Sequence, residues 1–296
     1  MKIKSFAKIN FGLEVLGRRP DGYHDIRTLF QSVSLHDELF FFPDRSGRIL
    51  VRGDAPDIPW DESNLIHRAA RALRVAFPGA EGVRIEVRKR VPAGKGLGGG
   101  SANAAMALLV LNRLWGLGLD RAALTEIGRG LGADVPYFFE GGLCLGEDRG
   151  DRISPLEDLP PRPLVLVLPP FSCPTAEIYG RHRPGRAGAS EAKLTSGRED
   201  SKIVRFFNER DLRFLENDLE ATVFRFHPRL QDIKALLQSR GAELSLVTGS
   251  GSAVFGVFRE RRKAEDARKE AERLFPAVLA ETVPRERYGR EIRAGV

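Results

Sequence analysis

Residues 92–105 read PAGKGLGGGSANAA, with five glycines inside the seven positions 94–100. Backbone so rich in glycine is costly within a helix or strand. Yet it runs straight into SANAAMALLVLNRLWGL, a segment apolar almost all round, which predicts a buried helix from Ser101. The chain must therefore fold with a compact glycine turn at the N-terminus of a core helix. Successive N–H groups with no Cβ in the way form a concave anion nest there, and the helix dipole adds partial positive charge at Ser101 and Ala102. One or two glycines would suit a plain tight turn, whereas five favour the nest. The Ser101 hydroxyl suits either a helix cap or contact with phosphate or its metal.

Two familiar phosphate loops do not fit. A Walker A loop needs Gly-Lys-Ser/Thr, but Gly94-Lys95 is followed by Gly96, and Lys89 stands where its first glycine belongs. A G-x-G-x-x-G match exists at Gly94, Gly96 and Gly99, with Asp120 about twenty residues on. That acid should close a second strand. Residues 101–131 read instead as two helices joined by GLGLD, so the dinucleotide reading lacks its context.

Around this loop the chain mixes strands and helices without a strict alternating rhythm. In residues 2–15 Ile3, Ser5, Ala7, Ile9, Phe11, Leu13 and Val15 share one parity, which predicts a strand with one face buried. The Pro-Asp-Gly turn of RRPDGYHD leads to a second strand through 29–42. Helical spacing covers 64–77 and stops at Pro78, and 83–91 alternates as a strand. A helix over 121–131 ends at Gly132. A Pro- and acid-rich connection places a boundary near residue 160, giving domains 1–160 and 161–296. The second part opens on the buried strand LVLVLPP and carries helices over 228–240 and 259–275, the latter with Glu265–Lys269 support. SLVTGSGSAVFGVF between them reads as strand, Gly-rich turn, strand, and RHRPGRAGASEAKLTSGRED as a mobile polar loop. The fold class expected is α+β, in two domains.

Composition narrows the setting. Net charge is +7 over 296 residues, which suits an anionic partner, but the basic residues are scattered with no block of like charge. Cys144 and Cys173 stand alone, which predicts two small buried hydrophobes in a reducing compartment. No signal peptide or membrane-spanning run is visible, so a cytoplasmic protein with no membrane partner is expected.

The loop PAGKGLGGGSANAA resembles the P-x-x-x-G-L-G-[GS]-[GS]-S phosphate loop of the GHMP small-molecule kinases, and TGSGSAVFGVF is similar to their third motif. AKINFGLEVLGRRPDGYHDIRTLFQSVSLHDEL and LGADVPYFFEGG resemble, more narrowly, the 4-diphosphocytidyl-2-C-methyl-D-erythritol kinases, in that family's order across most of the chain. Lys95 and Ala102-Asn103 depart from the usual loop pattern.

The resemblance implies a two-domain GHMP kinase fold, with a ribosomal-protein-like N-terminal domain and a ferredoxin-like C-terminal one. It also implies transfer of phosphate from ATP, with Mg2+, to the 2-hydroxyl of 4-(cytidine 5'-diphospho)-2-C-methyl-D-erythritol, in isoprenoid precursor synthesis. Pro92, Ala93, Gly94, Lys95, Gly96 and Leu97 would then cradle the triphosphate. Gly98, Gly99, Gly100, Ser101 and Ala102 complete that cradle; the metal ligands are not implied.

From chemistry alone Asp134, in ADVPYFF, could be a helix N-cap or a base, and the resemblance implies the base that accepts the hydroxyl proton. Pattern alone leaves Lys8 on a solvated strand face beside Asn10; the resemblance implies a lysine close to Asp134. By the same resemblance Tyr23 and Tyr179 sandwich the cytosine and His24 reads its edge, with Asn10 and Thr175 as further polar contacts. Gly249, Ser250 and Gly251 read as a close-approach turn beside the site. A monomer or weak homodimer with no nucleic-acid partner is expected. The rivals are a GHMP kinase for mevalonate, homoserine or a sugar, for which DGYH would lack a purpose, and a basic nucleic-acid-binding module.

Overall fold

The structure is a computed structural model that describes residues 1–182 and 201–295. The polar stretch expected as a loop lies outside the described residues from 183 to 200.

Two long strands, β1 (Lys2–Arg18) and β2 (His24–Asp44), form an antiparallel hairpin across the Pro20-Asp21-Gly22 turn. Asp21 accepts the Tyr23 N–H at 3.1 Å, and Gly22 takes φ +88°, a conformation open to glycine. β2 is the hub of the first sheet. β4 (Gly82–Arg88) pairs with its C-terminal end and β5 (Leu143–Glu147) with its N-terminal end. β3 (Ile49–Gly53) joins β4 in parallel, and β6 (Arg152–Pro155) closes on β5.

Helices α1 (Leu65–Ala76), α2 (Gly99–Leu114) and α3 (Arg121–Leu131) pack together over this sheet. Asn64 caps α1 by accepting the Ile66 N–H, and the helix buries Ile66, Ala69, Ala70 and Leu73. Alanines at 102, 104, 105 and 107 let α2 sink fully into the core. Asp120 caps α3 through the Ala123 N–H at 2.8 Å, which accounts for the acid of the dinucleotide match. That helix ends at Gly132 as expected, but in extended rather than left-handed backbone.

The second sheet holds β7 (Pro163–Val167), β8 (Leu244–Val247), β9 (Val254–Val257) and β10 (Ala277–Glu281) in the order β10-β7-β9-β8, all antiparallel. After α6 (Lys202–Glu209) and α7 (Glu220–Phe226), helices α8 (Arg229–Ser239) and α9 (Arg261–Ala271) pack on it, giving the β-α-β-β-α-β ferredoxin-like arrangement. In α9 Glu265 pairs with Arg261 and Lys269 with Asp266, not with each other as expected. The last helix, α10 (Arg285–Arg293), returns to the first core. There the buried Tyr288 hydroxyl donates to the Phe138 carbonyl at 2.6 Å.

β1 departs from the one-faced strand that its parity suggests. A register shift between Phe6 and Ala7 turns the strand over. Ile3 and Phe6 enter the core under the helices, while Ala7, Ile9 and Phe11 enter the core between the two sheets. Both faces are buried from Ser5 to Leu13 because the second sheet takes Ala7, Ile9 and Phe11, while Phe30, Gly98 and Asp134 close over Lys8 on the side that the sequence reads as solvated. Lys8 and Asn10 are thereby enclosed.

Candidate active site

The glycine loop leaves β4 and delivers the chain to α2, which begins at Gly99, two residues before the expected start. Gly94, Gly96 and Gly98 take φ of +66°, +75° and +68°, while Lys95 and Leu97 keep negative φ. Backbone of alternating hand is the geometry of an anion nest. Packing demands glycine as strongly as φ does. A Cβ on Gly96 would collide with the Thr248 carbonyl, and one on Gly98 would lie 2.8 Å from Phe138 and 3.0 Å from Lys8. No side chain caps α2, so Ser101 is not the cap that its position suggested. The first-turn N–H groups keep their capacity for an anion.

Lys8 is 4% exposed. Its ammonium donates to Asn10 Oδ1 at 2.8 Å, lies 3.2 Å from Asp134 Oδ2 and faces the Phe30 ring at 5.2 Å. A buried ammonium needs such partners. Asp134 sits in the turn between α3 and the short helix α4 (Tyr137–Glu140), whose N-cap is Pro136 with no side-chain bond, so Asp134 is not a cap. Its side chain keeps a third of its surface open and lines a cavity of about 890 Å³. Asn10 donates to Thr28 at 2.8 Å. Its backbone N–H reaches the Thr248 hydroxyl, which donates to the Gly96 carbonyl at 3.1 Å. One hydroxyl of the TGSGS turn thus ties β1 to the glycine loop.

The same cavity is lined by Tyr23, His24, Thr175 and Tyr179. Thr175 and Tyr179 lie on α5 (Thr175–Arg181), and the Thr175 hydroxyl pairs with Ser250 at 3.0 Å. His24 and Tyr179 stand with ring centroids 5.2 Å apart, whereas Tyr23 is 55% exposed. Burial, then the charges of His182 and Arg18, hold the His24 imidazole below its ordinary pKa. Burial also lowers His182, against the pull of Asp218, and it raises the Tyr179 hydroxyl, with Asp134 and Asp218 adding to the rise.

Comparison with known proteins bears on the family and the fold. The model of the GHMP kinases N terminal domain matches residues 64–142, and that of the GHMP kinases C terminal matches residues 204–277. A 4-diphosphocytidyl-2-C-methyl-D-erythritol kinase of Pelotomaculum thermopropionicum is 40% identical over 278 residues, covering 92% of this chain and 94% of its own. One of Syntrophus aciditrophicus is 43% identical over 269 residues, with 90% and 93% covered. The chain belongs to the 4-diphosphocytidyl-2-C-methyl-D-erythritol kinase family. A crystal structure of 4-(cytidine 5'-diphospho)-2C-methyl-D-erythritol kinase superimposes with a TM-score of 0.79 at 33% identity, covering 95% of this chain and 99% of that one. A homoserine kinase of Cytophaga hutchinsonii, 18% identical with a TM-score of 0.73 over 97% of this chain and 96% of its own, shares the fold.

Within this kinase of the family, the expected residues fall into three groups. Lys8, Asn10, Tyr23, His24, Asp134, Thr175 and Tyr179 meet in the one cavity, with Gly96 of the loop, Gly249 and Ser250. The remaining loop residues lie off its lining, and Leu97 and Ala102 are buried in the cores. Lys95 does not point to solvent. Its amine donates to the Phe171 carbonyl, and burial draws its pKa down. Ring contact with Tyr179 comes from His24, while Tyr23 stands under the Arg149 guanidinium at 5.2 Å.

Arg149 and His182 also line the cavity, and sequence reasoning missed both. Arg149 sits in the β5–β6 turn, fixed by Asp151 at 2.6 Å. A cation inside a short GEDRGD turn was the only local signal for it. No helix among the described residues is long and apolar enough to cross a membrane. Cys144 and Cys173 are both buried free thiols.

Proposed function

We propose that this chain transfers the γ-phosphoryl group of ATP to the 2-hydroxyl of 4-(cytidine 5'-diphospho)-2-C-methyl-D-erythritol. The observation that carries this reading is that one cavity is lined by Asp134 with its Lys8 partner, by Gly96 of the anion nest, and by the His24–Tyr179 ring pair. Phosphoryl transfer asks for a triphosphate cradle, a group to take the hydroxyl proton and positive charge near the transferring group. The nest and the uncapped start of α2 supply the cradle. Asp134 accepts the proton from the attacking hydroxyl. Lys8, 3.2 Å from Asp134, stabilises the negative charge that develops beside it.

The rings and neutral imidazoles of Tyr23, His24 and Tyr179 suit a pyrimidine, and Arg149 suits the diphosphate. Among the described residues no cluster of three acidic, His or Cys side chains could hold a metal. Mg2+ would therefore arrive with the triphosphate, with the Ser101 hydroxyl as the side chain at the start of α2 able to join it. It would neutralise charge on the phosphate oxygens. We also propose a division of the chain near residue 160 and a cytoplasmic setting.

A substrate panel tests the reading. With MgATP, ADP should form only when the cytidine diphosphate substrate is present; equal turnover with mevalonate or homoserine would overturn it. The pH dependence is a second test. His24 titrates below its ordinary value of 6.5, so it is neutral above that and can accept a hydrogen bond from the base edge. KM for the cytidine substrate should stay flat above about pH 6.5 and rise as pH falls through the lowered His24 pKa. His24→Asn should remove that rise, and a profile unchanged in the variant would exclude His24 from base reading.

A further inference from the structure

The carboxylate of Asp37, on β2, has no exposed surface and does not line the cavity. Four donors converge on it. Oδ1 accepts the backbone N–H groups of Arg90 and Val91 at 2.7 and 2.8 Å. Oδ2 accepts from the Lys89 ammonium at 2.5 Å and from Asn103 Nδ2 at 3.0 Å. Lys89 neutralises the charge, which would otherwise be prohibitive at this depth.

The donors have a definite place in the chain. Arg90 and Val91 immediately precede Pro92, where the glycine loop starts, and Asn103 is the fifth residue of α2, just after the loop ends. One carboxylate therefore clamps both ends of the span that forms the nest. The interior of the loop is held separately, by Thr248 on the Gly96 carbonyl.

We propose that Asp37 is a positioning residue for the triphosphate: it sets the width of the nest by tying its two ends to β2. This rests on reading the loop as the ATP site. In Asp37→Asn one oxygen can still accept the two backbone N–H groups. The new amide, however, turns its own N–H donors toward Lys89 and Asn103, so the charge-assisted Lys89 tie is lost, and Asn103 keeps only an uncharged bond made by turning its amide over to present Oδ1.

The test is calorimetric titration of the full chain with a non-hydrolysable ATP analogue plus Mg2+ and, separately, with cytidine 5'-diphosphate. Asp37→Asn should bind the ATP analogue about tenfold more weakly, the effect of one charge-assisted hydrogen bond. Cytidine diphosphate affinity should stay within about twofold, and steady-state kinetics should show KM for ATP raised with kcat largely kept. Asn103→Leu, which suits a helix and leaves Asp37 paired with Lys89, should weaken the analogue alone by a smaller factor, and it decides the matter if Asp37→Asn does not fold. Equal loss for both ligands would reduce Asp37 to a general core contact and overturn the proposal. Unchanged ATP affinity in the variants, with the wild type binding, overturns it alone. No binding of the analogue by the wild type would instead remove the ATP reading of the loop and the proposal with it.

Discussion

Asp134→Asn is expected to lower kcat by about a thousandfold, within the range that a positioned general base contributes, and to leave the affinity for an ATP analogue unchanged. The substitution keeps the shape of the side chain and an oxygen for Lys8, which lies 3.2 Å away. It removes the carboxylate's charge and with it the ability to take a proton. Lys8 keeps Asn10 Oδ1 and the Phe30 ring, so its buried charge is not stranded and the fold should hold. Single-turnover kinetics alongside nucleotide titration separate the two quantities. Turnover within tenfold of wild type would mean that the proton leaves by another route and that Asp134 serves only to hold Lys8.

What could be read from the sequence was local. The glycine loop, the helices over 64–77 and 121–131 and the TGSGS turn depend on neighbours a few residues away, and the structure has them within a residue or two of where spacing puts them. The resemblance brought Lys8 and Asp134 together; the residues alone did not, because Lys8 is enclosed only where Phe30, Gly98 and Asp134 fold over it. Those neighbours are distant in the chain, and the Asn10–Thr248 bond beside them spans 238 residues. Parity failed along β1 for a different reason: register shifts after Phe6, Asn10 and Val15 break the two-residue alternation, and no residue type announces them. Lys95 misled because its partner is a backbone carbonyl, at Phe171, which leaves no mark in the sequence. Arg149 was missed because its turn reads simply as a hairpin until the fold aims it at Tyr23.

Gly96→Ala should be severely damaging for the change of a single methyl group. Its φ of +75° disfavours any L side chain, by about 1–2 kcal/mol. The added Cβ would also strike the Thr248 carbonyl, which is backbone and cannot swing aside as a flexible side chain would. Overpacking of that kind costs a further 1–3 kcal/mol or so. The loop must then move off Thr248, breaking the hydroxyl's bond to the Gly96 carbonyl and disturbing its link to Asn10 beside Lys8. ATP affinity should fall about a hundredfold or more, taking roughly 3 kcal/mol of that strain as lost binding. The melting temperature should drop as well.

Gly130→Ala is the matched control. That glycine lies inside α3 with nothing within 4 Å of a new Cβ, so alanine there should be neutral or add up to about 1 kcal/mol of stability. Titration of both variants with the ATP analogue, and thermal melts, give the comparison. If Gly96→Ala bound the analogue within threefold of wild type, the alternating-handed backbone from Gly94 to Gly98 would not be the triphosphate cradle. The positive φ values there would then serve only to pack the loop between Thr248, Phe138 and Lys8.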